Sequence, residues 1–310
     1  MTITGPIADH TPTSDTWDEG PLYGSAVERV WYTDPAGNET DLTTIIDDQY
    51  KQGIDGRFMP SIQLFSDLAP GGNGAYFRGV RATPGLVTVT ELFVADDVTM
   101  LRAKLRGMAA RLSPFRGLGF LTVETSDGLT RRINCIYESG FAADPATDGE
   151  EYEAKVALNF RAFDPFWEDT EVSEDRHRIG ISTFHTLPLR LPFRMSGSSG
   201  TAQWTEINDG DVEAWPVWEI AGAATDVRVI LNGIASFSVA GVVGVNDGLL
   251  IDTRPGVKTV VTRLGQDRFP DLRGTLFPIP SGESTIAFTA TDPDANCAIG
   301  VQYFQRFNGV

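Results

Sequence analysis

Cysteine is nearly absent: Cys135 and Cys297 are the only two among 310 residues. They stand far apart, which argues against a disulfide framework, suits synthesis in a reducing site, and leaves both as small buried apolar residues. Histidine is as scarce, with only His10, His177 and His185 present. None stands in HExxH and no cysteine pair has zinc spacing, so no metal site and no cofactor are expected. No lysine follows a glycine, which excludes a phosphate loop of the GxxxxGK type, and GxGxxG does not occur. PGGNG at 70–74 is therefore a loop tip and not a ligand cradle.

Long apolar runs are missing too. The weakly polar stretch near Ala235 to Val245 is far short of a bilayer span, and the opening MTITGPIADHTPTSDTWDEG has neither a basic region nor an apolar run. Neither membrane insertion nor secretion is expected. Positive charge is deficient, with 42 acidic against 25 basic side chains and a formal net charge of -17. Such a chain repels nucleic acid phosphates and anionic membranes.

What is present is an ordinary globular composition, 41% hydrophobic and 22% charged, whose 32 glycines and 18 prolines supply turns without any low-complexity tract. The length exceeds that of a single core, so two domains are expected. From Trp31 to Phe166 the pattern is mostly strand. Glu153 to Phe163 alternates, with Val156, Leu158, Phe160 and Ala162 on one side and Lys155, Ala157, Asn159 and Arg161 on the other. FLTVET and LTRRINCIY flank Ser126-Asp127-Gly128, which reads as a hairpin with a tight turn over Gly119 to Tyr137.

One helix stands out in DDVTMLRAKLRGMAARLSP. Val98, Leu101, Leu105, Met108 and Leu112 form one stripe, Asp96 and Asp97 sit where a cap and the helix dipole favour acids, and Ser113-Pro114 ends it. Arg102, Lys104, Arg106 and Arg111 lie off the stripe, a basic cluster that is either a solvated exterior or a contact for an acidic partner.

Between Glu168 and Thr201 the pattern breaks. EDTEVSEDRHR is a charged run and Ser196 to Gly200 is flexible by composition, which places the domain boundary here. Beyond it, PVWEIAG, VRVILNG, FSVAG, LLIDT, STIAFTA and AIGVQYF are short strands at the spacing of a β-sandwich.

Catalytic motifs are lacking. Ser198 and Ser199 are glycine-flanked but outside GxSxG. In a chain this acidic, carboxylate pairs for glycoside hydrolysis are too abundant to single one out. NDGDVEAWP, from Asn208 to Pro216, places its carboxylates like a calcium loop but has Gly210 out of position and Trp215-Pro216 in the second half, so a turn feeding a strand is the better reading. Trp204, Trp215 and Trp218 suggest a sugar platform, yet Trp215 and Trp218 fall on opposite faces of one strand.

Several of these segments resemble the distal tail protein family of long-tailed bacteriophages. The residues that carry the resemblance are Trp31 to Gly37, the helix LRAKLRGMAARLSP, the hairpin LTVETSDGLTRRINCIY, and Phe163-Asp164-Pro165-Phe166-Trp167. In the second half they are Asn208, Gly210, Asp211 and Pro216 of NDGDVEAWPVWEIAG, Leu249 to Gly256 with Asp252 and Thr253, Leu276 to Gly282, and the closing VQYFQRF. The resemblance implies a mainly β fold with one prominent helix, an N-terminal belt domain related to tail-tube proteins (1–170), a connector (171–203) and a C-terminal galectin-like β-sandwich (204–310).

It further implies a hexameric ring in the virion tail tip, made in the host cytoplasm, that joins the tail-tube protein to tail-tip hub or baseplate proteins and has no active site. DNA would pass through an acidic lumen without specific binding. A head-to-tail ring needs two complementary patches per subunit, for which Arg102, Arg106 and Arg111 are one candidate half and the acidic segments Asp144 to Glu153 or Glu168 to Asp175 the other. A carbohydrate-binding module of a surface adhesin and a glycosidase are the competing readings; the first would explain only the sandwich.

Overall fold

The computed structural model describes residues 28–42, 54–68, 71–142, 146–148, 151–182 and 199–310, with the backbone alone for 146–148, 151 and 180–182. His10, His185, Pro70, Ser196 to Ser198 and the start of the Asp144 to Glu153 segment lie outside these residues.

The fold is mainly β with one α-helix among the described residues. The first half contributes β1 (Arg29–Thr33), β2 (Glu39–Asp41), β3 (Ile54–Asp55), β4 (Ile62–Leu68), β5 (Ala75–Ala82), β6 (Gly85–Ala95), α1 (Val98–Arg111), β7 (Gly119–Glu124), β8 (Thr130–Ser139), β9 (Ala146–Asp148), β10 (Glu151–Ala162) and β11 (Trp167–Arg178). The second contributes β12 (Gly180–Ser182), β13 (Ser199–Asn208), β14 (Val217–Ala221), β15 (Ala224–Leu231), β16 (Ala235–Val243), β17 (Leu249–Asp252), β18 (Thr259–Thr262), β19 (Leu272–Gly274), β20 (Gly282–Thr291) and β21 (Ala298–Phe307).

Local chemistry explains the first half. On β10 every second residue, Ala154, Val156, Leu158, Phe160 and Ala162, is buried, because period-2 alternation turns one face to the core. β7 and β8 pair antiparallel across the turn in which Gly128 takes a φ of 87°, a backbone conformation glycine adopts without a steric cost. The helix buries Leu101, Leu105, Met108 and Leu112. Asp97 occupies its N-cap, but its side chain makes no cap hydrogen bond, so its contribution is electrostatic only.

Two hydrophobic cores result. The first gathers Val30, Leu101, Leu121, Leu158, Phe160 and Trp167 between strands and helix. The second lies between β14, β17, β18 and β21 on one side and the six-stranded sheet β12-β13-β20-β15-β16-β19 on the other, around Trp218, Phe237 and Phe277. β21 enters both, with Ile299, Val301 and Tyr303 in the second core and Phe307 in the first.

Three findings depart from the sequence reading. The charged run after Trp167, expected to be connector, continues as β11, whose Glu171, Glu174, Asp175, Arg176 and Arg178 are exposed while its backbone pairs with β21 from Trp167↔Phe307 to Arg178↔Ala298, with a bulge between Glu168 and Val172. Residues 199–203, also assigned to the connector, open β13. And one thirteen-stranded sheet runs through both halves, β11 and β21 at its centre, so the two cores share a backbone ladder.

Near the first strand, the turn Asp34 to Asn38 closes on one carboxylate. Asp34 Oδ1 accepts from the Ala36 N–H at 3.0 Å and the Asn38 N–H at 2.8 Å, and Oδ2 accepts from Arg116 Nη1 at 2.9 Å. The side-chain and backbone donors of Asn38 are the main cause, with Arg116 and Ala36 adding to them against burial, that holds the Asp34 carboxyl down at about 2. A depressed folded-state pKa means the contribution is complete above the ordinary carboxylate range near ~4 and is lost as pH falls from there.

Carboxyl NMR should show Asp34 titrating near 2; a midpoint at the ordinary aspartate value would contradict the turn described. In the first core, Leu158→Ala removes a fully buried side chain and should cost about 2–5 kcal/mol in urea unfolding.

Candidate functional site

Two clusters gather residues that carried the family resemblance, one where the two halves meet and one within the second half. In the first, Arg306 on β21 is 8% exposed and its Nη2 donates to both oxygens of Asp164, at 2.6 and 2.5 Å. Its Nη1 donates to the Glu213 carbonyl at 2.9 Å, and its guanidinium lies 4.8 Å from the centre of the Phe166 ring. Asp164 is half exposed, so solvent screens the pair, but a buried guanidinium cannot lose its acceptor cheaply. Pro165 packs over Gly85, and Trp167 is buried in the first core.

NDGDVEAWP wraps the same strand. Asn208 Oδ1 accepts from the Gly210 N–H at 3.0 Å, while Asn208 Nδ2 donates to the carbonyls of Val212 and Ile279. Gly210 is required by close approach: an added methyl would lie 2.6 Å from the Arg306 carbonyl oxygen and 2.8 Å from its nitrogen. Asp211 accepts from the Asn308 N–H at 2.9 Å, and Asp209 and Glu213 are exposed.

In the second cluster the Thr253 hydroxyl donates to the Pro216 carbonyl at 2.6 Å, next to the Val217↔Asp252 pair of β14 and β17. Asp252 accepts from the Arg254 backbone and guanidinium. Pro216 stands just before β14, where a missing N–H costs no ladder bond.

Around these clusters the junction is lined by cations and rings. Arg131 covers the Phe307 ring at 3.5 Å and donates to the Gly309 carbonyl. Arg132 lies between Phe120 and Phe304, 4.6 and 4.5 Å from their centres. Burial raises the Glu168 pKa, opposed by Arg132 at 3.8 Å, and desolvation lowers that of Arg131. Arg306, Asp164, Asn208, Asp211 and the Arg131 and Arg132 guanidinium planes are all engaged by other parts of the same chain, which makes the junction an architectural site.

Surfaces are a different matter. Arg102, Arg106 and Arg111 form no ion pair or side-chain hydrogen bond with the described residues, and Arg102 and Arg106 wall a shallow groove of about 250 Å³ floored by Leu105, Ala109 and Phe141. The acidic stretch Glu168 to Asp175 belongs to β11, where Glu168 and Asp169 lie opposite Arg132 and Arg131. The tryptophans form no shared platform: Trp218 is in the second core, and Trp204 donates to Glu206 at 3.0 Å.

Sequence reasoning missed one exposed apolar feature, the hairpin of β4 and β5. β4 and β5 pair only with each other, as a separate two-stranded hairpin. A bulge after Phe65 shifts the register, so that Ile62, Leu64, Phe77 and Val80 lie on one of its faces and Phe65 and Tyr76 on the other, and all six are exposed. Phe58 and Met59 extend the strip, at 63% and 71% exposure. A run of strand-forming apolar residues reads identically whether it enters a core or projects from one, so only the exposure could reveal it.

No family model matches the sequence, and no curated protein matches it. Among solved structures, the fold is similar to that of SPP1 Dit (gp 19.1), described as a paradigm of hub adsorption apparatus in phages infecting Gram-positive hosts. The TM-score is 0.65 at 19% identity, over 91% of this chain and 99% of that one. A chain of the phage P2 baseplate in its activated conformation with Ca matches at a TM-score of 0.45 and 12% identity, over 87% and 99% of the two chains. The first likeness establishes a shared fold at nearly full length.

Gly210→Ala should destabilise the chain by about 2 kcal/mol or more, because the Arg306 backbone must move. Asp164→Asn should cost about 2 kcal/mol by weakening the charged hydrogen bonds to Arg306. Chemical denaturation checks both, and wild-type midpoints would contradict the architectural role.

Proposed function

We propose that this chain is a structural subunit of a bacteriophage tail tip, without catalytic activity, whose copies close into a ring between the tail-tube protein and the hub or baseplate proteins. The observation that carries this reading is the unpartnered hairpin β4–β5. A two-stranded hairpin is marginally stable alone, and one that exposes Leu64, Tyr76, Phe77 and Val80 at 57–68% presents both faces for burial by another chain. The fold shared with SPP1 Dit supports the tail-tip setting.

The occupant of that hairpin is a second copy of this chain. A head-to-tail ring needs a second patch complementary to the first. We assign it to the α1 face, where Leu105, Ala109 and Phe141 offer apolar surface and Arg102, Arg106 and Arg111 remain free of partners among the described residues. Glu168 and Asp169 are less suited to receive those arginines, since β8 already supplies them with Arg132 and Arg131. Six copies is the number the family resemblance implies.

Within this reading residues 1–170 are the belt domain and 204–310 the galectin-like sandwich, a division supported by the two separate hydrophobic cores. The excess of acidic over basic side chains supports a channel through which DNA slides without being held. A glycan-binding adhesin is less favoured, because Trp204 and Trp218 are engaged within the chain.

Light scattering and negative-stain images of the purified chain should show a six-fold mass and a ring. Leu64→Asp with Phe77→Asp should yield a folded monomer, and replacing Arg102, Arg106 and Arg111 by Glu should weaken the ring at least about tenfold. A wild-type chain that stays monomeric at high concentration would overturn the proposal; a ring that survives the hairpin variant would remove the hairpin from the interface.

A further inference from the structure

The sheets that enclose the second core bring together three side chains with metal-ligand chemistry. Asp175 and His177, two apart on β11, project to the same side, and so do Trp204 and Glu206 on β13 of the facing sheet. One ligand atom each from Asp175, His177 and Glu206 lies within 4.8 Å of the others.

The details favour a cation. Glu206 is 5% exposed, and its carboxylate accepts from Trp204 Nε1 at 3.0 Å and from the Tyr303 hydroxyl at 2.9 Å. Both donors are neutral, and no lysine or arginine among the described residues forms an ion pair with Glu206 or Asp175. A buried carboxylate in that position requires a counter-charge. His177 Nε2 stands 3.0 Å from Asp175 Oδ2 yet is buried without a hydrogen-bond partner, since the approach is close but misaligned for a shared proton. The ring is held by stacking on Trp204, centroids 4.0 Å apart.

The geometry points to a binding site for a first-row divalent cation of the Zn²⁺ class, held by His177 Nε2, Asp175 and Glu206 with a remaining position open to water. An imidazole nitrogen with two carboxylates suits Zn²⁺, whereas Ca²⁺ prefers oxygen ligands throughout. Trp204 and Tyr303 orient the ligating Glu206 from behind, the outer-shell arrangement that such sites require. Bound there, the ion ties β11, which begins in the first core, to β13 of the six-stranded sheet.

Isothermal titration of the untagged full chain with Zn²⁺ should show one equivalent bound and a raised Tm, and Co²⁺ should give the visible absorption of a nitrogen-ligated ion. His177→Gln should abolish that absorption, and Asp175→Asn, at a half-exposed position and with a wild-type urea midpoint as the control for folding, should weaken binding at least about tenfold. Absence of binding, binding of several equivalents, or binding unchanged by both substitutions would overturn the site.

Discussion

The pairing of β11 with β21 is the constraint on which the structure depends. β11 begins at Trp167 in the first core and runs alongside the second, and β21 begins with Ile299 and Val301 in the second core and ends with Phe307 in the first. One antiparallel ladder, interrupted by a bulge between Glu168 and Val172, therefore joins two bodies of packed side chains. Backbone hydrogen bonds of this kind depend little on side-chain identity, which lets β11 carry an outward row of acids and bases without weakening the ladder.

Polar chemistry at the junction serves the same end. Arg306 is buried where the two halves meet, and Asp164 from one half and the Glu213 carbonyl from the other both accept from it. Gly210 leaves the room that the Arg306 backbone occupies. Residues that carried the resemblance at this junction are thus engaged within the chain, and the functions we propose fall to the surfaces left over: the apolar hairpin, the basic face of α1 and the rim where His177 meets Glu206.

Legibility followed the range of the interactions. α1, the β7–β8 hairpin and the alternation of β10 were readable because their signals are local periodicities of 3.6 and 2 residues. β11 was misread as connector, because an exposed strand with charged side chains on both sides shows no hydrophobic alternation, and its stability comes from a partner far along the chain. The metal-ligand group was invisible for a related reason: no spacing rule links His177 to Glu206, and strands in two facing sheets bring them together.

By itself the sequence determined the helix, the β7–β8 hairpin and the alternating β10, the absence of nucleotide and nucleophile motifs, the surplus of acids, and a set of turn and strand residues resembling one family. Each is a property of composition or of neighbours within a few positions. Tertiary structure alone decided which apolar strands are buried and which project as an arm, and that the two cores share one sheet. Burial and counter-charge are properties of distance in space, and a strand of alternating apolar residues looks the same in the chain whichever side of the surface it ends up on.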